Sequence, residues 1–278
     1  MREQIKASLA ILLTGFALGQ GGAADETGVA AKRVDRDERA RRIFAREHPY
    51  VDTVFRPGEK LTFSVRYGPI RAGEATIELP EITVLDGDSC FHVLTTASSN
   101  DFFSTFFHVR DRVESFMSIE DLRPLRFEKH LREGGYAADQ IVRFDHDALL
   151  AVYNGEHIYD ILPGSHDILS AFFAVRAREL APGVSFDLEC HADRKNYPLK
   201  TTVHRRERVS VPAGEFDCLV VEPVLRTPGL FKHEGTLTIW LSDDPQRIPV
   251  QMRSSLPIGA ISVVLTDVAG RPDWEAGR

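Results

Sequence analysis

From Phe55 to Val268 the chain alternates apolar and polar residues at period two, and turn signals interrupt the alternation at short, recurring intervals. Leu61, Phe63, Val65 and Tyr67 fall on one side of a first extended run, and Ala75, Ile77 and Leu79 on one side of the next. Side chains two apart share a face of a strand, so such runs bury one face and wet the other. Asp86-Gly87, Gly134-Gly135, Asp145–Asp147 and Asn154-Gly155 mark turns, the last being a hairpin pair that tolerates positive φ. Later runs (VSFDLECHA, PLKTTVHRRERVSV, FDCLVVEPVL, GTLTIWLSD, RIPVQMRSS, GAISVVLTDV) keep the cadence. Many short strands joined locally give a sandwich or barrel rather than a helical or parallel α/β fold.

Two stretches break the alternation. In SSNDFFSTFFHV, Phe102, Phe103, Phe106 and Phe107 are spaced for one face of a short helix begun by Asn100 or Asp101. Four clustered phenylalanines suit a helix that plugs a barrel or seals a sheet, and a lipid or ligand lining is the sharper reading. In GSHDILSAFFAVRARELAPG, Ile168, Leu169, Phe172 and Val175 recur at helical period. Ser165 is placed to cap this helix and Pro182-Gly183 to stop it.

The first segment is not part of that pattern. Arg2 and Lys6 precede an apolar run from Ala7 to Leu18, followed by small residues through Ala24. This is the layout of a cleavable export signal over residues 1–24, with an apolar stretch short for a membrane span. A charged leader, helical or disordered, follows over residues 25–53; Asp35/Arg39, Asp37/Arg41 and Glu38/Arg42 are at helical spacing. The single antiparallel β domain is expected over 54–268, with a tail at 269–278. After signal removal the chain is expected to be soluble and periplasmic. Export permits one disulfide among Cys90, Cys190 and Cys218 and leaves one thiol over. All three lie in strand-like stretches where a free cysteine packs as a small hydrophobe, and no CxxC spacing points to zinc or redox work.

Charge and motifs narrow the chemistry. A net charge of −7 without a clustered basic face excludes a general nucleic-acid footprint. GxSxG, HExxH, a Walker loop and GxGxxG are all absent, so neither a catalytic motif nor a cofactor fingerprint is present. His146 between Asp145 and Asp147, and His191 beside Asp193, are the nearest approach to a metal cluster; His146 is expected in an exposed turn. Asp243 and Asp244 read as turn residues with Arg247 as a surface partner. Arg110, Arg112 and Glu114 share one strand face and Asp111 and Val113 the other, so the charged face is either a solvated exterior or a polar lining.

Several stretches together resemble the bacterial family catalogued as domain of unknown function 3108: GEKLTFSVRYGPIRAGEATIEL (58–79), FFHVRDRVESFM (106–117), LSAFFAVR (169–176), VPAGEFDCLVVEP (211–223) and GTLTIWLSDDPQRIPVQM (235–252). The resemblance implies an exported, mainly antiparallel all-β protein with a curved or barrel-like sheet, and it supplies no catalytic residue. By analogy of fold the sheet is expected to be a barrel or half-barrel of lipocalin-like or lipoprotein-carrier-like type, with one or two short helical insertions.

The leading functional expectation is a non-catalytic protein that binds a lipid, another amphiphile or an envelope glycan in an apolar concavity. Phe102, Phe103, Phe106, Phe107 and Phe172 would line or cover it, with Arg66 and Arg112 meeting an anionic head group. One alternative is an envelope hydrolase using Asp111, Glu114, Asp243 or Asp244, which would have to face one cleft. Another is a scaffold acting through the charged leader.

Overall fold

The computed structural model describes residues 48–225, 236–256 and 259–272; the export signal and most of the charged leader lie outside them. Among the described residues one antiparallel sheet carries fifteen strands. They are β1 (Glu59–Tyr67), β2 (Ile70–Leu79), β3 (Ile82–Leu85), β4 (Asp88–Ser99), β5 (Arg110–Ser118), β6 (Pro124–Glu133), β7 (Tyr136–Asp145), β8 (Leu150–Tyr153), β9 (His157–Asp160), β10 (Ser185–Ala192), β11 (Lys195–Val211), β12 (Gly214–Leu225), β13 (Leu237–Ser242), β14 (Pro249–Leu256) and β15 (Gly259–Ala269). The helices among the described residues are α1 (Val51–Val54), α2 (Asp101–Ser104) and α3 (Ile168–Ala177).

The strand order is β10-β11-β12-β13-β14-β15-β1-β2-β4-β5-β6-β7-β8-β9, with β3 paired to β4 alone. First and last strands therefore meet in the middle of the sheet, where Lys60 to Tyr67 pair with Ala269 to Ile261. The two edges are β9 and β10, and they are joined by main chain that belongs to neither. His166 donates its N–H to the Glu189 carbonyl at 2.8 Å and accepts from His191 at 2.7 Å, a parallel bridge beside β10. Asn196 donates to the Asp160 carbonyl at 2.9 Å, and Arg194 N–H to the Tyr153 hydroxyl at 2.9 Å. The sheet is thus curved and open in its ladder, with its seam closed by these few bonds.

Helix α3 fills the concave side. It reaches β5 through Asp167 and Ser115, 2.6 Å apart, and the β13–β14 connection through Arg176 and the Arg247 carbonyl, 2.9 Å apart. Only a helix inside the curve can touch elements so far apart in the strand order. Its sequence suits burial on all sides: Leu169, Ala171, Phe173, Ala174, Val175 and Ala177 are buried, and the small residues let strands approach closely. The helix is shorter than its apolar pattern predicts. Asp167, not Ser165, caps it, accepting from Ser170 N–H at 2.8 Å, while Ser165 accepts from Leu162 N–H. It ends at Arg178 in extended backbone, well before Pro182. The barrel plug is therefore α3, and the Phe102–Phe107 stretch is not.

All three cysteines are free and buried. Cys218 lies with Phe216 and Val220 in the core, its thiol pushed up to about 12 by burial, so it is inert packing rather than a nucleophile.

Candidate functional site

One end of the barrel is closed by buried charge. Glu59, at the start of β1, is paired by Arg271 and lies 3.7 Å from Arg176. Arg271 donates onward to the carbonyls of Thr53 and Val54, and Tyr50 N–H donates to Ala177, tying α1 to the end of α3. Phe173 lies under the Arg176 guanidinium at 4.7 Å and beside Phe55 at 5.0 Å. Burial lowers Arg176 to about 10, against the opposing pull of Glu59, which leaves it charged at neutral pH.

Inside, the surroundings of α3 are polar where it begins. Lys129 on β6 pairs with Asp193 at 2.6 Å, both nearly buried, and Asp167 accepts from Ser115. His191 shares its Nδ1 with Asn196 Oδ1 at 2.8 Å. Because the amide oxygen can only accept, Nδ1 carries the proton and Nε2 is left as an acceptor. These groups and Phe127, Phe144 and Tyr153 line a recess. It has room for about one water and not for an acyl chain. Burial holds Asp167 and Asp193 up to about 6, the second despite Lys129. His166 is held down to about 3 by burial and stays neutral. Nearer the other end, Asp111 and Glu133 face each other on β5 and β6, with Asp111 held up to about 6 by burial.

That other end is an apolar rim. Asn100 caps α2, accepting from Phe103 N–H at 2.9 Å, and anchors it to β2 by donating to the Arg71 carbonyl at 2.8 Å. Ser99 and Ser104 hydroxyls lie 2.7 Å apart. Phe107 lies over Gly134, where a Cβ would come within 2.9 Å of its ring and where φ is +57°, so the β6–β7 turn admits it only as glycine. So fixed, α2 and the turn after it present Phe102 and Phe106, 64% and 67% exposed and 5.5 Å apart. Ile70 at the start of β2 and Tyr136 at the start of β7 are also exposed on this end.

The sequence-derived ligand residues are thus divided. Phe102, Phe103, Phe106, Phe107 and Arg66 come together at the rim, Arg66 donating to the Pro69 carbonyl at 2.6 Å. Phe172 is on α3, edge-on to Phe173 and near Arg176 towards the closed end. Arg112 is on the outer sheet face, bound to both oxygens of Glu114 at 2.7 and 2.8 Å. His92 completes that cluster at 2.7 Å, and burial of Glu114 is outweighed by these partners, which hold it down at about 2. The charged face of β5 is therefore exterior. Among the described residues α3 occupies the concave side of the sheet.

The four candidate carboxylates do not share a cleft. Asp111 points inward and Glu114 outward; Asp243 pairs with Arg206 and Arg247, and Asp244 accepts from Ser242, Gln246 and Arg247. Arg247 is buried rather than a surface partner. His146 is half-buried, bonded to the Pro124 carbonyl and stacked on Phe144, rather than exposed. Among the described residues there is no group of three metal-ligating side chains.

The pattern of a family described as "Protein of unknown function (DUF3108)" matches residues 62–266. The chain belongs to that family. No curated protein matches it. Among solved structures it is similar to a β-barrel-like protein of domain of unknown function DUF1849 from Brucella abortus, with 9% identity, 76% of this chain and 97% of that one covered, and a TM-score of 0.51. That likeness shows a shared barrel-like fold. Weaker similarities are to a protein predicted to be a lipoprotein from Parabacteroides distasonis (11% identity, 78% and 98% covered, TM-score 0.36) and to one predicted to be exported, with a YmcC-like fold, from Bacteroides fragilis (14%, 78% and 99%, 0.31).

Proposed function

We propose that this member of the DUF3108 family is a non-catalytic, exported protein of the cell envelope that binds an amphiphile with the rim of its barrel. The observation that carries the reading is the pair Phe102 and Phe106, two-thirds exposed on an insertion held rigid by Asn100 and Phe107. Removing that much aromatic surface from water is worth roughly 5 kcal/mol before ordering costs. The recess beside the start of α3 has space for about one water, too little for an acyl chain. The periplasm is the compartment in which the export signal would place it.

A scaffold role shares the filled interior and differs in what would cover the rim. The carboxylates on which the hydrolase reading rests, Asp111, Glu114, Asp243 and Asp244, do not share a cleft, the geometry that chemistry needs. Native mass spectrometry of the protein purified from its own envelope tests the proposal. Retained lipid or another amphiphile, lost when Phe102 and Phe106 are replaced by Ser, is expected. A clean apo mass under conditions that preserve lipid complexes would contradict it, and a retained protein partner would favour the scaffold.

A further inference from the structure

The rim carries a second pattern, in charge. Arg71, on β2, is exposed and its carbonyl holds Asn100 of the α2 cap. Arg66 is its partner across the β1–β2 ladder. Arg110 opens β5 directly after the α2 segment, pairs with Ser98 of β4 and is exposed. Against these three guanidiniums the same end presents Asp101 and Glu74, the latter paired to Arg71 at 3.3 Å. Three arginines against two acids leave one net positive charge beside the apolar tip, in a chain whose net charge is −7.

We infer that the rim docks on an anionic lipid surface, with Phe102 and Phe106 inserted among the acyl chains and Arg66, Arg71 and Arg110 at the level of the phosphates. The inference rests on the rim reading proposed above and deepens it, since it names the assembled bilayer surface rather than a single extracted molecule as the partner. Three features fit that partner. Exposed aromatics next to arginines match the depth profile of an interface, where rings enter the hydrocarbon boundary and guanidiniums remain with head groups. Asn100, the cap of α2, bonds the Arg71 carbonyl, and Arg110 opens β5 directly after the insertion, so two of the three arginines flank the segment that carries the phenylalanines. Replacement of the three arginines by neutral residues would leave a rim inside an acidic protein, which an anionic surface repels. Ile70 and Tyr136 widen the apolar contact on either side of α2.

The experiment is flotation of the purified protein with phosphatidylcholine vesicles, with and without phosphatidylglycerol, at low and high salt. A parallel measurement follows binding of monomeric lyso-phosphatidylglycerol below its micelle concentration. Expected is flotation with the anionic vesicles only, weakened by salt. Phe102→Ser with Phe106→Ser should reduce it at least about tenfold, since each ring contributes a large apolar area. Arg71→Gln with Arg110→Gln should remove the preference for phosphatidylglycerol. All four side chains are exposed, so unfolding midpoints of the variants should stay at the parent value and exclude misfolding as a cause. Protein that stays at the bottom of the gradient with anionic vesicles overturns the inference, as does flotation insensitive to the phenylalanine pair. The monomer separates the two levels: if lyso-lipid binds and vesicles do not, docking falls and amphiphile binding stands. If neither binds, both fall.

Discussion

The two ends of the barrel use the same residue types in opposite ways. At the closed end, Arg176 and Arg271 are fully buried against Glu59, and Phe173 and Phe55 are stacked out of water beside them. At the rim, Arg71 and Arg110 face solvent around Phe102 and Phe106, which nothing in the described structure covers. A buried guanidinium needs its carboxylate because desolvation is costly, so the closed end is fixed. An exposed phenylalanine beside an exposed arginine adds little to folding, which is what a contact surface reserved for another molecule looks like.

Breaking the closed end should have the largest effect. Arg176→Ala leaves Glu59 short of one partner and opens a cavity over Phe173, and should cost about 3–5 kcal/mol, read as a fall in denaturation midpoint. A change no larger than that of an exposed substitution would show that the plug does not hold the barrel.

The next effect concerns pH. Asp167 has an ordinary value of 3.8 and is held at about 6 in the fold by burial, so the native state keeps a proton that the unfolded chain gives up. Its contribution is therefore complete below about pH 4 and lost as pH rises through 6. His166, held down to about 3, acts in the opposite sense: its contribution is present above about 6.5 and lost as pH falls. Asp167→Asn keeps an acceptor for the α3 cap and removes one slope. Relative to the parent, it should gain roughly 3 kcal/mol between pH 4 and pH 7, measured by denaturant titration. An unchanged difference across that range would refute the buried, proton-holding state of Asp167.

At the rim the expectation is reversed. Phe102→Ser with Phe106→Ser should change stability by about 0.5 kcal/mol or less while removing amphiphile binding. A large loss of stability would move these rings from contact surface to core. Glu114→Gln on the outer face should cost only about 1 kcal/mol, because Arg112 is half exposed and screened. The parent's advantage over that variant should be present above about pH 4.5 and vanish as pH falls towards 2, visible in acid-unfolding curves.

Much of this contrast can be read in the sequence, and what cannot is non-local. Period two gives the strands, and Asn154-Gly155 gives its turn, because both are local chemistry. That Arg110, Arg112 and Glu114 share one face and Asp111 the other follows from strand parity; which face turns outward does not. A helix near 168 is readable from spacing, and HDILSAFFAVRA is apolar on nearly every side, as a buried helix must be. Its role as the plug is not readable, since Phe102–Phe107 is equally apolar and only packing decides which stretch lies inside. Lys129 in phase with Phe127 and Leu131 is a visible sign of a charge pointing inward. Its partner Asp193 comes from the distant β10–β11 turn and is supplied by closure of the seam. Likewise β1 pairs β15 across the length of the domain, which no local pattern encodes.

The central claim is that an amphiphile meets the rim and not the interior. A diazirine-bearing fatty acid, photolysed with the protein and mapped by peptide mass spectrometry, tests it most directly. The account predicts adducts on residues 101–107 and around Ile70. Adducts concentrated on Phe127, Ile168 and the other walls of the recess would contradict it.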